Sequence, residues 1–138
     1  MTEAKNVVWV REDMVLAIHL RQLAEHGGGE GLRDEGLLQS ALARPQNLLA
    51  YSAPSPDLAS LAAAYAYGIA RNHPFVDGNK RTALIVARLF LLLNGIDLVA
   101  TQEEKYSTFL ALAAGELSED DVENWVRAHL DSVTKEDE

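Results

Sequence analysis

Cysteine is missing from this 138-residue chain, which rules out disulfides and thiolate metal sites and suits a reducing compartment. Long Gly/Ser or Pro tracts and internal repeats are missing as well, so nothing divides the chain into units. No stretch is apolar for long enough to cross a bilayer: the longest begins at Ala83, is interrupted by Arg88 and ends at Gly95. Met1 to Val10 carries both signs of charge without the apolar run of a signal peptide, so a cytoplasmic protein is expected. No His/Asp/Glu spacing indicates a zinc site. At this length a single domain over residues 1–138 is expected, with residues 132–138 as a disordered acidic tail.

Basic residues are scarce. Twelve Lys and Arg stand against 21 Asp and Glu, a net charge of −9. From Glu116 onward nine acids face two bases, a local −7, which leaves −2 for the rest. Between Arg71 and Arg88 the sign reverses, with Arg71, Lys80, Arg81 and Arg88 against Asp77 alone. An acidic chain with one basic pocket suits a small anionic ligand better than a nucleic-acid backbone, which calls for a broad basic face. Direct nucleic-acid binding is therefore not expected, and neither is a membrane partner.

Apolar periodicity predicts an all-α bundle of about six helices with short β pieces. Asn6 to Val10 is a β-type run and the expected N-terminal strand. Met14, Val15, Ile18 and Leu23 share a helical face from Arg11 to His26, stopped by Gly27-Gly28-Gly29. A second, shorter helix spans Asp34 to Arg44 and closes at Pro45; Gln46 to Pro56 then reads as a loop or small hairpin. Asp57 can cap a third helix, in which Leu58, Leu61, Tyr65 and Ile69 mark one face and alanines permit close approach. It ends near Asn72, because Pro74 disfavours helical geometry at His73. A fourth, from about Asn79 to Asn94, is apolar on nearly every side and is the expected buried centre. Thr101 and Glu104 fit a capping box for a fifth, to about Ala114. Ser118 caps a sixth, with Asp120 and Asp121 in its first turn.

Arg71-Asn72-His73-Pro74-Phe75-Val76-Asp77-Gly78-Asn79-Lys80-Arg81-Thr82 lies between the third and fourth helices. Gly78 can take positive φ or let a ligand approach its backbone. The N–H groups from Asn79 to Thr82 open a helix whose first turn has unsatisfied donors, a ready anion site. Lys80 and Arg81 add charge there, Arg81 with a fork suited to phosphate oxygens. His73 is a natural general base for a hydroxyl near neutral pH, and Asp77 can hold Mg²⁺ bridging two phosphates. Phe75 is expected to point inward and anchor the loop. Taken singly, each has an ordinary reading: a histidine ending a helix, an Asp-Gly turn, a solvated Lys-Arg pair. Their joint order favours a phosphate ester.

His73-Pro-Phe75-Val-Asp77-Gly78-Asn79-Lys80-Arg81 resembles the Fic/Doc superfamily signature, H-x-F-x-[DE]-[GA]-N-[GK]-R. The stretches Val15 to His19, Gly31 to Leu38, Ser40 to Pro45, Thr82 to Leu84 and Ala113 to Ser118 resemble the shorter Doc, or death-on-curing, branch. The chain departs from the adenylylating Fic pattern twice: Lys80 replaces a second glycine, and Leu84 replaces a second arginine. Those positions seat the α- and β-phosphates in Fic enzymes. Doc proteins share both substitutions and are kinases that present the γ-phosphate, with a threonine of elongation factor Tu as the characterised target.

The resemblance implies a Fic/Doc-like helical bundle and a toxin that phosphorylates a translation factor with ATP and Mg²⁺. It implies His73 as base and Asp77 as Mg²⁺ ligand. Arg71, Gly78, Asn79, Lys80 and Arg81 would hold phosphates. Gln46 to Pro56 would be the flap that positions a target polypeptide by edge pairing. Restraint would come from a Phd-like antitoxin, a DNA-binding partner whose disordered end folds onto the toxin. Thr134 to Glu138 matches the spacing of the inhibitory Fic helix, but Leu84 leaves no arginine for it, and a solvated terminus is the better reading. His19 is marked by the resemblance without a role, and His129 packs on Trp125. Two other readings remain: a Fic-type adenylyltransferase or related nucleotidyl- or phosphocholine-type transferase, and a non-catalytic fold that binds a partner.

Overall fold

A computed structural model of the chain describes residues 7–29 and 31–132. The elements are α1 (Glu12–His26), α2 (Glu35–Tyr51), α3 (Leu58–Asn72), α4 (Asn79–Leu93), β1 (Ile96–Leu98), α5 (Gln102–Ala113), α6 (Glu119–Ala128) and β2 (Leu130–Ser132). The all-α expectation and the helix count are borne out. Four helices begin where a side-chain oxygen meets their first free N–H groups. Asp34 accepts from Leu37 N at 3.0 Å and Asp57 from Ser60 N at 2.9 Å. Thr101 with Glu104, and Ser118 with Asp121, close full capping boxes.

The central helix is α3, not the leucine-rich fourth helix. Eleven of its 15 residues are buried, and α2, α4, α5 and α6 pack around it. Alanine explains this, since a helix with short side chains can be approached from every side. In α4 the buried face is Thr82, Ala83, Val86, Ala87, Phe90 and Leu91, while Leu84, Ile85, Leu89 and Leu92 stay partly open. They border a groove of about 640 Å³ between α1, α4 and α5.

Two boundaries differ from the expected ones. Pro45 lies inside α2, which continues to Tyr51. A helical proline forfeits one backbone bond, but Pro45 is buried and Leu48 and Leu49 pack on the core in the same register. Most of the expected 46–56 loop or hairpin is therefore helix. At the other end, residues 7–10 form no strand. Asn94 holds this extended segment instead, accepting from Val8 N and donating to Val8 O, both at 2.9 Å. The Tyr65 hydroxyl accepts from Val10 N at 3.0 Å, and burial pushes its phenol up to about 12. The sheet is the antiparallel pair β1–β2, with Leu98 opposite Leu130. The tail after Ser132, including Thr134 to Glu138, lies outside the described residues.

Arg127 of α6 ties the start of α3. Its Nε and Nη2 each reach an Asp57 oxygen at 3.0 Å, and Nη2 also reaches Glu123 at 2.6 Å. The Arg127 guanidinium holds the Asp57 carboxyl down at about 2. A carboxylate with a depressed folded value contributes stability above its unfolded value and loses it as pH falls through the folded one. Asp57→Asn should therefore lower the melting temperature at neutral pH. Thermal melts should show the gap to wild type closing between about pH 4 and about pH 2.

Candidate functional site

Phe75 anchors the motif loop as expected. It is 1% exposed, and its backbone is claimed from both sides. Asn79 Oδ1 accepts from Phe75 N at 2.9 Å, and Asn79 Nδ2 donates to Phe75 O at 3.0 Å. The Asn79 side chain is thus committed to the loop, so what it offers an anion is its backbone N–H. The His19 ring stacks on Phe75, with centroids 3.8 Å apart and planes 10° from parallel, and its Nε2 lies 2.8 Å from Asp77 O.

A second strand of chain braces the loop from outside. Leu32 and Phe75 form an antiparallel bridge, and Val76 N donates to Gly31 O at 3.1 Å. Arg33 N and Asp34 N both donate to Pro74 O, at 2.7 and 3.0 Å. The backbone that pairs with the motif loop is therefore 31–34.

His73 is the C-cap of α3, with φ 51° and ψ 56°, the one non-glycine residue with positive φ among the described residues. That conformation is uncommon for a side-chain-bearing residue and persists where neighbours hold it. Arg33 does so: its Nε donates to His73 O at 2.7 Å and its Nη2 to Asn72 O at 2.9 Å, a cation on the carbonyl end of the helix. The His73 ring is exposed and makes no hydrogen bond among the described residues.

Asp77 is also exposed, and its Oδ1 accepts from Gly78 N at 2.8 Å. Its other oxygen lies so close to Gly28 that a Cβ there would sit 2.7 Å away. The glycine run after α1 both ends that helix and clears room for this carboxylate. Gly78, at φ 78°, precedes α4 without capping its first N–H groups by a side chain. Lys80 and Arg81 follow, neither in an ion pair among the described residues.

The other cations are engaged elsewhere. Arg88 holds Asp97 with bonds of 2.8 and 3.1 Å. Arg71 lies over the Tyr67 ring, 5.4 Å from its centroid. Leu84 lines the groove between α1, α4 and α5, with Arg81 beside it.

The loop thus carries an exposed imidazole and an exposed carboxylate ahead of a helix N-terminus, whose two cations have no ion-pair partner among the described residues. That suits transfer of part of a phosphate ester to an acceptor. No group of three His, Cys, Asp or Glu among the described residues could hold a metal alone. Asp77 as a lone carboxylate fits Mg²⁺ whose remaining ligands are phosphate and water oxygens. His19 and Arg33 hold the backbone of the loop, and sequence reasoning left both without roles. Only their place in the Doc-like stretches marked them.

The Fic/DOC family model matches residues 9–91. The chain is 44% identical over 90 residues to "Toxin Doc" of Mycolicibacterium smegmatis, a match covering 65% of this chain and 66% of that protein. It is 34% identical over 118 residues to "Protein kinase doc" of Escherichia phage P1, covering 86% of this chain and 92% of that one.

Asn79→Ala removes both bonds to Phe75 and strands two buried backbone groups, so we expect a loss of about 1–3 kcal/mol. Chemical denaturation measures the stability. Amide hydrogen exchange at Phe75 should quicken beyond that global change.

Proposed function

The chain belongs to the Fic/DOC family, and from its place in the Doc branch we propose a toxin that acts as a protein kinase. It transfers the γ-phosphate of ATP to a hydroxyl side chain of a translation factor. Elongation factor Tu is the target by analogy, with arrested translation as the result. The observation that carries this reading is an exposed His73 ring without a hydrogen bond, six residues before an α4 N-terminus where Lys80 and Arg81 have no acidic partner among the described residues.

In the proposed reaction His73 accepts the proton of the target hydroxyl as its oxygen bonds to the γ-phosphorus. The bond from that phosphorus to the β–γ bridging oxygen breaks, and ADP leaves. The α4 N–H groups, Gly78, Lys80 and Arg81 hold the phosphates, Asn79 contributes backbone, and Arg71 adds charge at the end of α3. Mg²⁺ held by Asp77 would neutralise charge on the phosphate oxygens. Lys80 is bulkier than the glycine of the adenylylating pattern, and Leu84 supplies no cation for a second phosphate further along α4. Both favour seating the γ-phosphate, rather than the α-phosphate, next to His73.

The name "Toxin Doc" of one relative supports a toxin–antitoxin pair, and a Phd-like antitoxin is the partner by analogy. No helix of the described residues is long and apolar enough to cross a membrane.

The test is incubation with Mg²⁺, elongation factor Tu and ATP labelled at either the α- or the γ-phosphate. We expect label from γ only; label from α would instead establish the adenylyltransferase reading. His73→Ala should slow transfer roughly a hundredfold or more and abolish growth arrest on expression. Lys80→Gly should open the loop and allow some transfer from the α position. A Lys80→Gly variant that labels from γ alone removes the steric argument.

A further inference from the structure

His19 is buried (3% exposed) on α1, fifty-eight residues from the group it bonds. Its Nε2 lies 2.8 Å from the Asp77 carbonyl oxygen. A carbonyl only accepts, so Nε2 carries the proton and donates. A trans peptide points its C=O and N–H to opposite sides. Drawing the Asp77 carbonyl inward to His19 therefore turns the Gly78 N–H outward, to the side where Asp77 Oδ1 meets it at 2.8 Å. That is also the side on which the Asp77 carboxylate is exposed. The His19 ring lies flat against Phe75, so the donor cannot drift without disturbing the buried anchor.

We propose that His19 is a positioning residue for the motif loop. By holding the Asp77 carbonyl it sets the orientation of the Asp77–Gly78 peptide. The Asp77 carboxylate, with the Gly78 N–H on its Oδ1, is thereby presented on the outer side of the loop, where it would hold the Mg²⁺ of the bound nucleotide. The proposal rests on the phosphate-binding reading of the loop. It adds a residue from α1 that touches neither substrate nor metal.

The ring and the N–H have separable jobs. His19→Phe keeps an aromatic ring against Phe75 and removes the donor. His19→Gln keeps a donor near the position of Nε2 and removes the ring. Three readouts apply to the full chain: the melting temperature, the affinity for Mg²⁺–ATP, and the Gly78 amide proton–nitrogen resonance.

His19→Phe should stay folded, shift the Gly78 resonance, and lose roughly a hundredfold in Mg²⁺–ATP affinity or transfer. His19→Gln should return the resonance and most of the affinity. The proposal is overturned if His19→Phe keeps the wild-type Gly78 resonance and affinity. It is equally overturned if both variants lose affinity only in step with melting temperature, which makes His19 a packing residue. Should the wild-type chain neither bind nor use ATP, the kinase reading fails alone. The Gly78 resonance of both variants, with inorganic phosphate titrated in, still decides the role of His19.

Discussion

The candidate site depends on the burial of Phe75 more than on any of the groups that would do chemistry. A phenyl ring inside the core stabilises by about 1.5–3 kcal/mol, and here it carries its backbone in with it. The Phe75 N–H and carbonyl both end on Asn79, while its ring lies against His19. With that one residue pinned, His73 two positions before and Asp77 two positions after must both emerge at the surface. An exposed loop with functional groups at its ends thus gains the rigidity of the interior. Catalytic groups on rigid supports lose little in orienting a substrate.

The electrostatics follow the same division between engaged and free groups. Arg11, Arg21, Arg44, Arg88 and Arg127 all sit in ion pairs with carboxylates. The acidic excess of the chain is thereby partly neutralised away from the loop. Lys80 and Arg81, at the amino end of α4, face no such partner among the described residues. Their field adds to that of the helix N-terminus instead of cancelling it. The basic pocket suggested by the charge pattern is thus narrower than the run from Arg71 to Arg88, because Arg88 belongs to Asp97.

Much of the architecture was legible in the sequence, and the exceptions have physical reasons. Caps at Asp57, Thr101 and Ser118 act within three or four residues, so local sequence reveals them. The passage of α2 through Pro45 does not follow from local preference, since a proline's cost is offset only by what the rest of the helix buries. Leucines in α4 suggested a helix surrounded on all sides. The alanines of α3 occupy that position, because absence of side-chain bulk lets four neighbours close in. Strands of three residues are too short to show a period, so β1 and β2 carried no signal, while Val7 to Val10 carried one and found an asparagine side chain for a partner.

The sequence by itself determined the order of histidine, carboxylate, turn and cations, the start of α4, and the family. All of these are written within a span of about one turn of loop and one of helix. Only the tertiary structure decided what holds them. Arg33 reaches the carbonyl of His73 across forty residues, and His19 reaches that of Asp77 across fifty-eight. Gly28 yields its Cβ space to the Asp77 carboxylate. No periodicity or spacing rule links residues so far apart. Their meeting is a consequence of how α1 and the segment after it pack against the loop.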